Sequence, residues 1–169
     1  MGDEFKQAGN QALSMGSKEQ QEFLAETRIG IMSMGRKELG PLSMPVCYGY
    51  EPGGEVRTVI DGGSFKAKLV ERTGRFTLCV QDDVPPYRFV TVEGPATLEP
   101  ADSEEDLGPI IRRYLGTPRG NKYVELSREA SLSAGHSALV VARMRPEHWW
   151  SWDLHRDSGW DQIMAQPPA

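Results

Sequence analysis

Long apolar runs are missing from this sequence. No window approaches the roughly 18 consecutive apolar residues of a membrane-spanning helix, and the start, Met1-Gly2-Asp3-Glu4-Phe5-Lys6, carries no apolar signal core. Lys6 also stands where an N-myristoylation signal has Ser or Thr. The expectation is a cytoplasmic protein that does not engage membranes. Cysteine is scarce: the two present, Cys47 and Cys79, have no C-x-x-C spacing, which excludes a zinc ribbon and a thioredoxin-type motif and leaves buried free thiols as the expected state. Histidine occurs three times, and His148 and His155 with Asp153 and Asp157 follow no metal-ligand spacing, so no metal site is expected. An excess of positive charge is also lacking. With 19 Lys and Arg against 24 Asp and Glu the net charge is -5, which argues against a general nucleic-acid binder. No G-x-G-x-x-G, Walker A, H-E-x-x-H or G-x-S-x-G pattern appears, which sets aside Rossmann and P-loop nucleotide binding, zinc proteolysis and the nucleophile-elbow hydrolases.

What is present is a chain of 169 residues, the size of one domain that buries roughly 70% of its unfolded surface. Residues 1–16 mix Gly, Gln, Asn, Ser and Met without periodicity and read as a loose N-terminal arm. Residues 17–156 carry the periodic segments, and 157–169 form a Pro-rich tail expected to be disordered. Ser17-Lys18-Glu19-Gln20 has capping-box spacing and opens a short helix with Phe23 and Leu24 on its apolar side.

Arg28 to Met34 reads as a first strand and Leu42 to Tyr50 as a second. Pro45 within the latter cannot donate to a ladder, so it marks an edge, a bulge or a place where the sheet opens. Glu51-Pro52-Gly53-Gly54 predicts a hairpin to the strand Glu55 to Ile60. A short helix from Phe65 to about Arg72, stopped by Gly74, precedes the strand Arg75 to Gln81. Tyr87 to Leu98 is the longest strand candidate, and Gly94-Pro95 predicts a bulge or bend in it. Ser103-Glu104-Glu105-Asp106 opens a helix whose Leu107, Ile110, Ile111, Tyr114 and Leu115 share one face that must be covered; Pro109 either kinks it or marks its true first turn. Thr117 to Ser133 is polar and weakly helical, Ser137 to Met144 is a last strand, and Trp149-Trp150-Ser151-Trp152 puts aromatic area near the end, as barrel closure, pocket wall or dimer interface. About six strands joined by tight turns with two or three helices favour a mainly β (α+β) fold, an antiparallel barrel or curled sheet, over a βαβ fold.

The stretch with chemistry is Asp61-Gly62-Gly63-Ser64-Phe65-Lys66-Ala67-Lys68. Gly62 and Gly63 allow close backbone approach, Ser64 caps a helix start or bonds an anion, and Lys66 and Lys68 add positive charge. Local chemistry leaves two readings open, a phosphate cradle and a plain strand-to-helix turn. Residues two apart on a helix point to nearly opposite sides, so both lysines meet one phosphate only if the segment begins extended or their stems curl. Arg28 and Arg88 start strands, where they either reach a ligand or serve as solvated or paired charges. Tyr87 either stacks on a ring or packs the turn after Pro85-Pro86.

Four segments in order, Phe23-Leu24-Ala25-Glu26-Thr27-Arg28-Ile29-Gly30, Met44-Pro45-Val46, Gly62 to Lys68 and Pro85-Pro86-Tyr87-Arg88-Phe89-Val90-Thr91-Val92-Glu93-Gly94, give the chain its likeness. Over residues 20–153 it resembles the split β-barrel proteins of the pyridoxamine 5'-phosphate oxidase-like superfamily, in particular the flavin and deazaflavin oxidoreductases of actinobacteria. The resemblance implies a split antiparallel β-barrel with peripheral helices and a homodimer with two cofactor sites at the interface, each taking coenzyme F420, which is favoured, or FMN. It implies that Ser64, Lys66 and Lys68, with Gly63, hold the cofactor phosphate and that Ser43, Met44, Pro45 and Val46 lie along the ring. Tyr87, Arg88 and Trp152 are the candidates for substrate or interface contact. Where the family pattern continues from the second basic residue into Asn-Leu, this chain has Leu69-Val70. No side-chain catalytic set is visible, which agrees with a bound ring carrying the hydride. The implied activity is hydride transfer to or from a small unsaturated or tetrapyrrole-like substrate; the alternative is a non-catalytic flavin- or haem-binding protein of the same fold.

Overall fold

A computed structural model describes residues 11–132 and 138–166. Most of the arm expected over 1–16, the Ser133 to Ser137 end of two segments, and the last three residues of the tail lie outside these described residues. A 3-10 turn, Gln11–Leu13, leads to helix α1, Ser17–Ala25. Leu13 and Met15 are buried, and Met15 N donates to Ser151 Oγ at 3.0 Å, so residues 13–15 pack against the body of the protein. The cap of α1 is one residue earlier than its spacing predicts. Gly16 is the N-cap, and Glu19, the third helical residue, accepts from Gly16 N at 2.7 Å.

Strands β1 (Gly30–Arg36) and β2 (Leu39–Val46) form an antiparallel hairpin, followed by β3 (Val56–Asp61), α2 (Phe65–Thr73), β4 (Arg75–Gln81) and β5 (Arg88–Pro100). A π-helical turn, Ser103–Leu107, runs into α3 (Gly108–Leu115), where Pro109 sits in the first turn, its place of least cost; α4 (Thr117–Leu132) follows. The chain ends with β6 (Leu139–Met144), β7 (His148–Asp153) and α5 (Ser158–Met164). The tryptophan cluster thus forms a seventh strand beyond the six expected, and the expected disordered tail carries a helix.

The strand order is β2-β1-β4-β5-β6-β3, with β7 also on β5. The hairpin expected between the second and third strands does not form. β2 pairs with β1, and a single bridge, Gly49 to Arg57, connects the following loop to β3. Residues 51–54 do form a turn, but alternation along a strand does not say which strand lies beside it. β2 is an edge strand, which accounts for Pro41 and Pro45 within it.

β5 is the strand that splits the barrel. Arg88–Glu93 lies between β4 and β7, whereas Ala96–Pro100 pairs with β6. The change of partner falls at Gly94-Pro95. A Cβ on Gly94 would lie 1.8 Å from the Arg145 carbonyl oxygen, so only glycine lets the two backbones approach this closely. Inside, Met32, Met34, Leu78, Val80, Val90, Val92, Ala142 and Met144 are buried, and α2 closes the interior with Ala67, Leu69 and Val70. A smaller cluster, Leu107, Ile111 and Val124 against Cys47, Val59 and Leu139, seats α3 on the strands.

Among the described residues no element covers the opposite face of the β2-β1-β4-β5-β7 sheet. Register places Pro45, Ile31, Cys79, Thr91 and Trp150 in one row across it and Ser43, Ser33, Thr77, Glu93 and His148 in the next. Ile31 is 41% exposed and Trp152 40%.

Candidate functional site

Where β3 ends, the chain turns through Asp61-Gly62-Gly63-Ser64 into α2. Asp61 Oδ1 accepts from Gly63 N at 2.7 Å and the Asp61 carbonyl from Ser64 N at 3.0 Å. Gly62 is required by the chain itself. Its N–H donates to the Ala138 carbonyl at 3.0 Å, and a Cβ there would stand 2.7 Å from that oxygen, so the room expected for a ligand is used by β6's approach. Ser64 is the N-cap, its Oγ accepting from Ala67 N at 3.2 Å, which leaves its O–H available to donate outward. The amides of Phe65 and Lys66 have no partner among the described residues.

Because the helix begins at Phe65, Lys66 and Lys68 diverge. Lys68 is exposed, whereas Lys66 is half-buried and lines a cavity of about 200 Å³. Among the described residues neither lysine makes an ion pair. Pro45 and Val46 line the same cavity, so three of the residues singled out in the sequence meet there. Gly63, Ser64 and Lys68 do not line it; nor do Ser43, whose Oγ lies 2.8 Å from Ser33 Oγ on the open sheet face, and Met44. The remaining walls were not anticipated. Cys47, Thr58 and Val59 form the floor, Leu107, Ile110 and Ile111 one side, and Tyr123 of α4 another. The apolar face of residues 107–115 was legible from its spacing, but what it covers was not. Burial pushes the Cys47 thiol up from its ordinary value, so it stays neutral, and Thr58 spends its hydroxyl on the Cys47 carbonyl at 2.9 Å.

Tyr87, Arg88 and Trp152 lie away from this cavity. Tyr87 meets Trp160 edge-on and Trp152 meets Phe89 edge-on, each pair with centroids 6.2 Å apart. Arg88 Nε donates to Asp82 Oδ2 at 2.7 Å, and Arg28 Nη1 lies 2.7 Å from Asp82 Oδ1; both guanidinium groups stand over the Phe23 ring. A larger hollow of about 450 Å³ opens on the uncovered sheet face, floored by Ile29, Ile31 and Cys79 and rimmed by Thr27, Gln81 and Asp83. None of Ser64, Lys66, Lys68 and the β2 residues 43–46 lines it.

No family model and no curated protein matches the chain. Among solved structures, a conserved hypothetical protein of Mycobacterium tuberculosis is similar at a TM-score of 0.68 and 20% identity, covering 95% of this chain and 94% of that one. A candidate pyridoxamine 5'-phosphate oxidase from Listeria innocua gives a TM-score of 0.54 at 16% identity, covering 79% of this chain and 94% of its own. The fold is the split β-barrel. An F420 reductase shares it, with a TM-score of 0.52 and 16% identity over 76% of this chain and 94% of that chain. In the split barrel of this chain, the Lys66 cavity lies where α2, the end of β2 and the α3–α4 pair converge, and the larger hollow lies on the open face of the sheet. No helix among the described residues is long and apolar enough to cross a membrane.

Proposed function

We propose that this protein is a homodimeric oxidoreductase that binds coenzyme F420, or FMN, and transfers a hydride to or from a small unsaturated or tetrapyrrole-like substrate. The observation that carries this reading is Lys66: a half-buried lysine with no ion partner among the described residues, on the wall of an apolar cavity, at the first turn of α2 beside Pro45 and Val46. Such a charge finds its counter-ion in a ligand anion, and the open amides of Phe65 and Lys66 with the Ser64 hydroxyl complete a phosphate's hydrogen bonds. Gly63 holds the turn, and Lys68 adds charge from the solvent side. Asp61 Oδ1 accepts from the Gly63 amide, which fixes the turn that leads to Ser64. When bound, the ring supplies the hydride chemistry, and the protein's part is to grip, orient and exclude water. The resemblance in sequence favours the deazaflavin, and an F420 reductase stands among the similar structures.

The cavity, about 200 Å³, is smaller than the roughly 300–1,000 Å³ of a pocket that buries a small ligand. On this reading a second copy packs against the open sheet face and extends the site beyond this cavity. That face presents Ile31, Pro45, Cys79, Trp150 and Trp152 together, the aromatic and aliphatic surface that a subunit interface buries. On this reading Ser43 and Met44 reach the ring from β2, while Tyr87, Arg88 and Trp152 lie toward the substrate or the partner.

The test is a visible-range spectrum of the purified protein, before and after titration with FMN and with F420, together with its mass in solution. Micromolar binding of one cofactor by a dimer is expected, followed by turnover of an unsaturated acceptor with the reduced cofactor. Failure of both to bind at micromolar concentration refutes the reading. Tight binding without turnover of any acceptor identifies a storage or sensing protein instead.

A further inference from the structure

Three walls of the Lys66 cavity are fixed. Thr58 is buried and bonded to the Cys47 carbonyl; Ile110 and Ile111 are buried in the α3 seat. α3 itself is tied to the chain after α1: Arg113 Nη2 donates to the Ala25 carbonyl at 2.6 Å, and Tyr114 Oη donates to the Arg28 carbonyl at 2.6 Å. The fourth wall is different. Over residues 117–131 of α4, Gly120 and Val124 alone are buried, while Tyr123 and Leu126 are 47% and 52% exposed. α4 packs chiefly on α3 and the π-helical turn before it: Val124 joins Leu107 and Ile111, and Gly120 lies close against Arg112, while the rest of the contact is made by exposed polar links such as Arg112 Nε to Asn121 Oδ1 at 2.7 Å and Arg128 to Glu104 at 3.4 Å. A helix with so few buried apolar contacts opens at a small fraction of the global unfolding free energy.

The cavity that α4 walls is too small for a tricyclic ring and its phosphate chain as it stands, yet it holds the one buried-side lysine that such a ligand needs. We propose that α4 is a movable wall of the binding site, which swings away from α3 to admit the ligand and closes on it through Tyr123. Tyr123 is then a positioning residue, its ring covering the ligand from the side opposite the strands. This rests on the cofactor reading above for the identity of the ligand, but not for the motion of α4.

Hydrogen exchange on the full-length protein tests the motion without ligand: amides of α4 exchange more than about tenfold faster than those of α2, and saturating FMN or F420 slows α4 selectively. Contact is read from fluorescence. A tyrosine stacked on a flavin quenches its emission, so FMN bound to the wild type is dim, and FMN bound to Tyr123→Phe, compared at saturation, recovers emission. Exchange in α4 as slow as in α2 without ligand overturns the movable wall. Equal quenching in the wild type and Tyr123→Phe overturns the Tyr123 contact. Absence of any binding refutes the cofactor reading, and ligand-free exchange still decides whether α4 opens.

Discussion

Lys66→Ala is the perturbation with the most to reveal. The ammonium has no ion partner among the described residues, so its removal breaks no ion pair among them, and the melting temperature should hold within the change expected of a surface substitution, about 0.5 kcal/mol. The apolar stem leaves the cavity wall but not the main core, whose α2 anchors are Ala67, Leu69 and Val70. The loss appears in binding. A hydrogen bond to a charged group contributes about 1.5–3 kcal/mol, and the half exposure of Lys66 widens the lower end, giving about 1–3 kcal/mol. That corresponds to a Kd raised about 5- to 150-fold. Lys68→Ala is the internal control. Its side chain is exposed, its attraction for a phosphate is screened, and it should cost under about 1 kcal/mol. Titrating FMN and F420 into wild type and both variants, at low and at moderate salt, separates the two lysines. Indistinguishable curves for Lys66→Ala and wild type refute the phosphate assignment, and a Lys68→Ala loss equal to that of Lys66→Ala refutes the argument from burial.

Gly94→Ala should prevent the strand from changing partners: with a Cβ placed 1.8 Å from the Arg145 carbonyl oxygen, backbone must move, at a cost of at least about 3 kcal/mol seen in urea unfolding or in loss of soluble protein. Asp82→Ala leaves Arg28 and Arg88 facing each other over Phe23 without their shared carboxylate, and we expect about 2–3 kcal/mol lower stability, discounted from a fully buried pair because Arg88 is a third exposed; unchanged denaturation would show the network to be neutral. Tyr48 is fully buried and donates to the Leu24 carbonyl at 2.8 Å; burial, followed by the nearby Tyr114, pushes its phenol well above its ordinary value. A raised folded-state value means the stabilisation is complete below the unfolded value near 10 and is lost as pH rises through the folded one, so stability should fall above about pH 10. Tyr48→Phe should lower the plateau by about 1 kcal/mol and flatten that fall, measured as melting temperature against pH.

Local chemistry decided much of what could be read in the chain alone. Ser64 and Gly74 bound α2 as their cap preferences require, Pro109 marks a first turn, Pro45 marks an edge, and Gly94-Pro95 bends the longest strand. Each of these depends on backbone geometry within a few residues, which composition states directly. The segments that carry the resemblance to split-barrel proteins include Pro45, Ser64 and Gly94.

Pairing partners and side-chain destinations were settled only in three dimensions. Period-two alternation fixes which face of β2 looks inward, but loop closure and packing put it beside β1 rather than β3, and lay His148–Asp153 along β5. Lys66 and Lys68 are alike in sequence. They part because α2 starts at Phe65, turning Lys66 to the cavity and Lys68 to water, and because α3 and α4, more than forty residues further on by number, form the remaining walls. The sequence determined the elements and their caps, since those are short-range preferences of the backbone. The tertiary structure decided which lysine has a cavity to face, since that depends on contacts between segments distant along the chain.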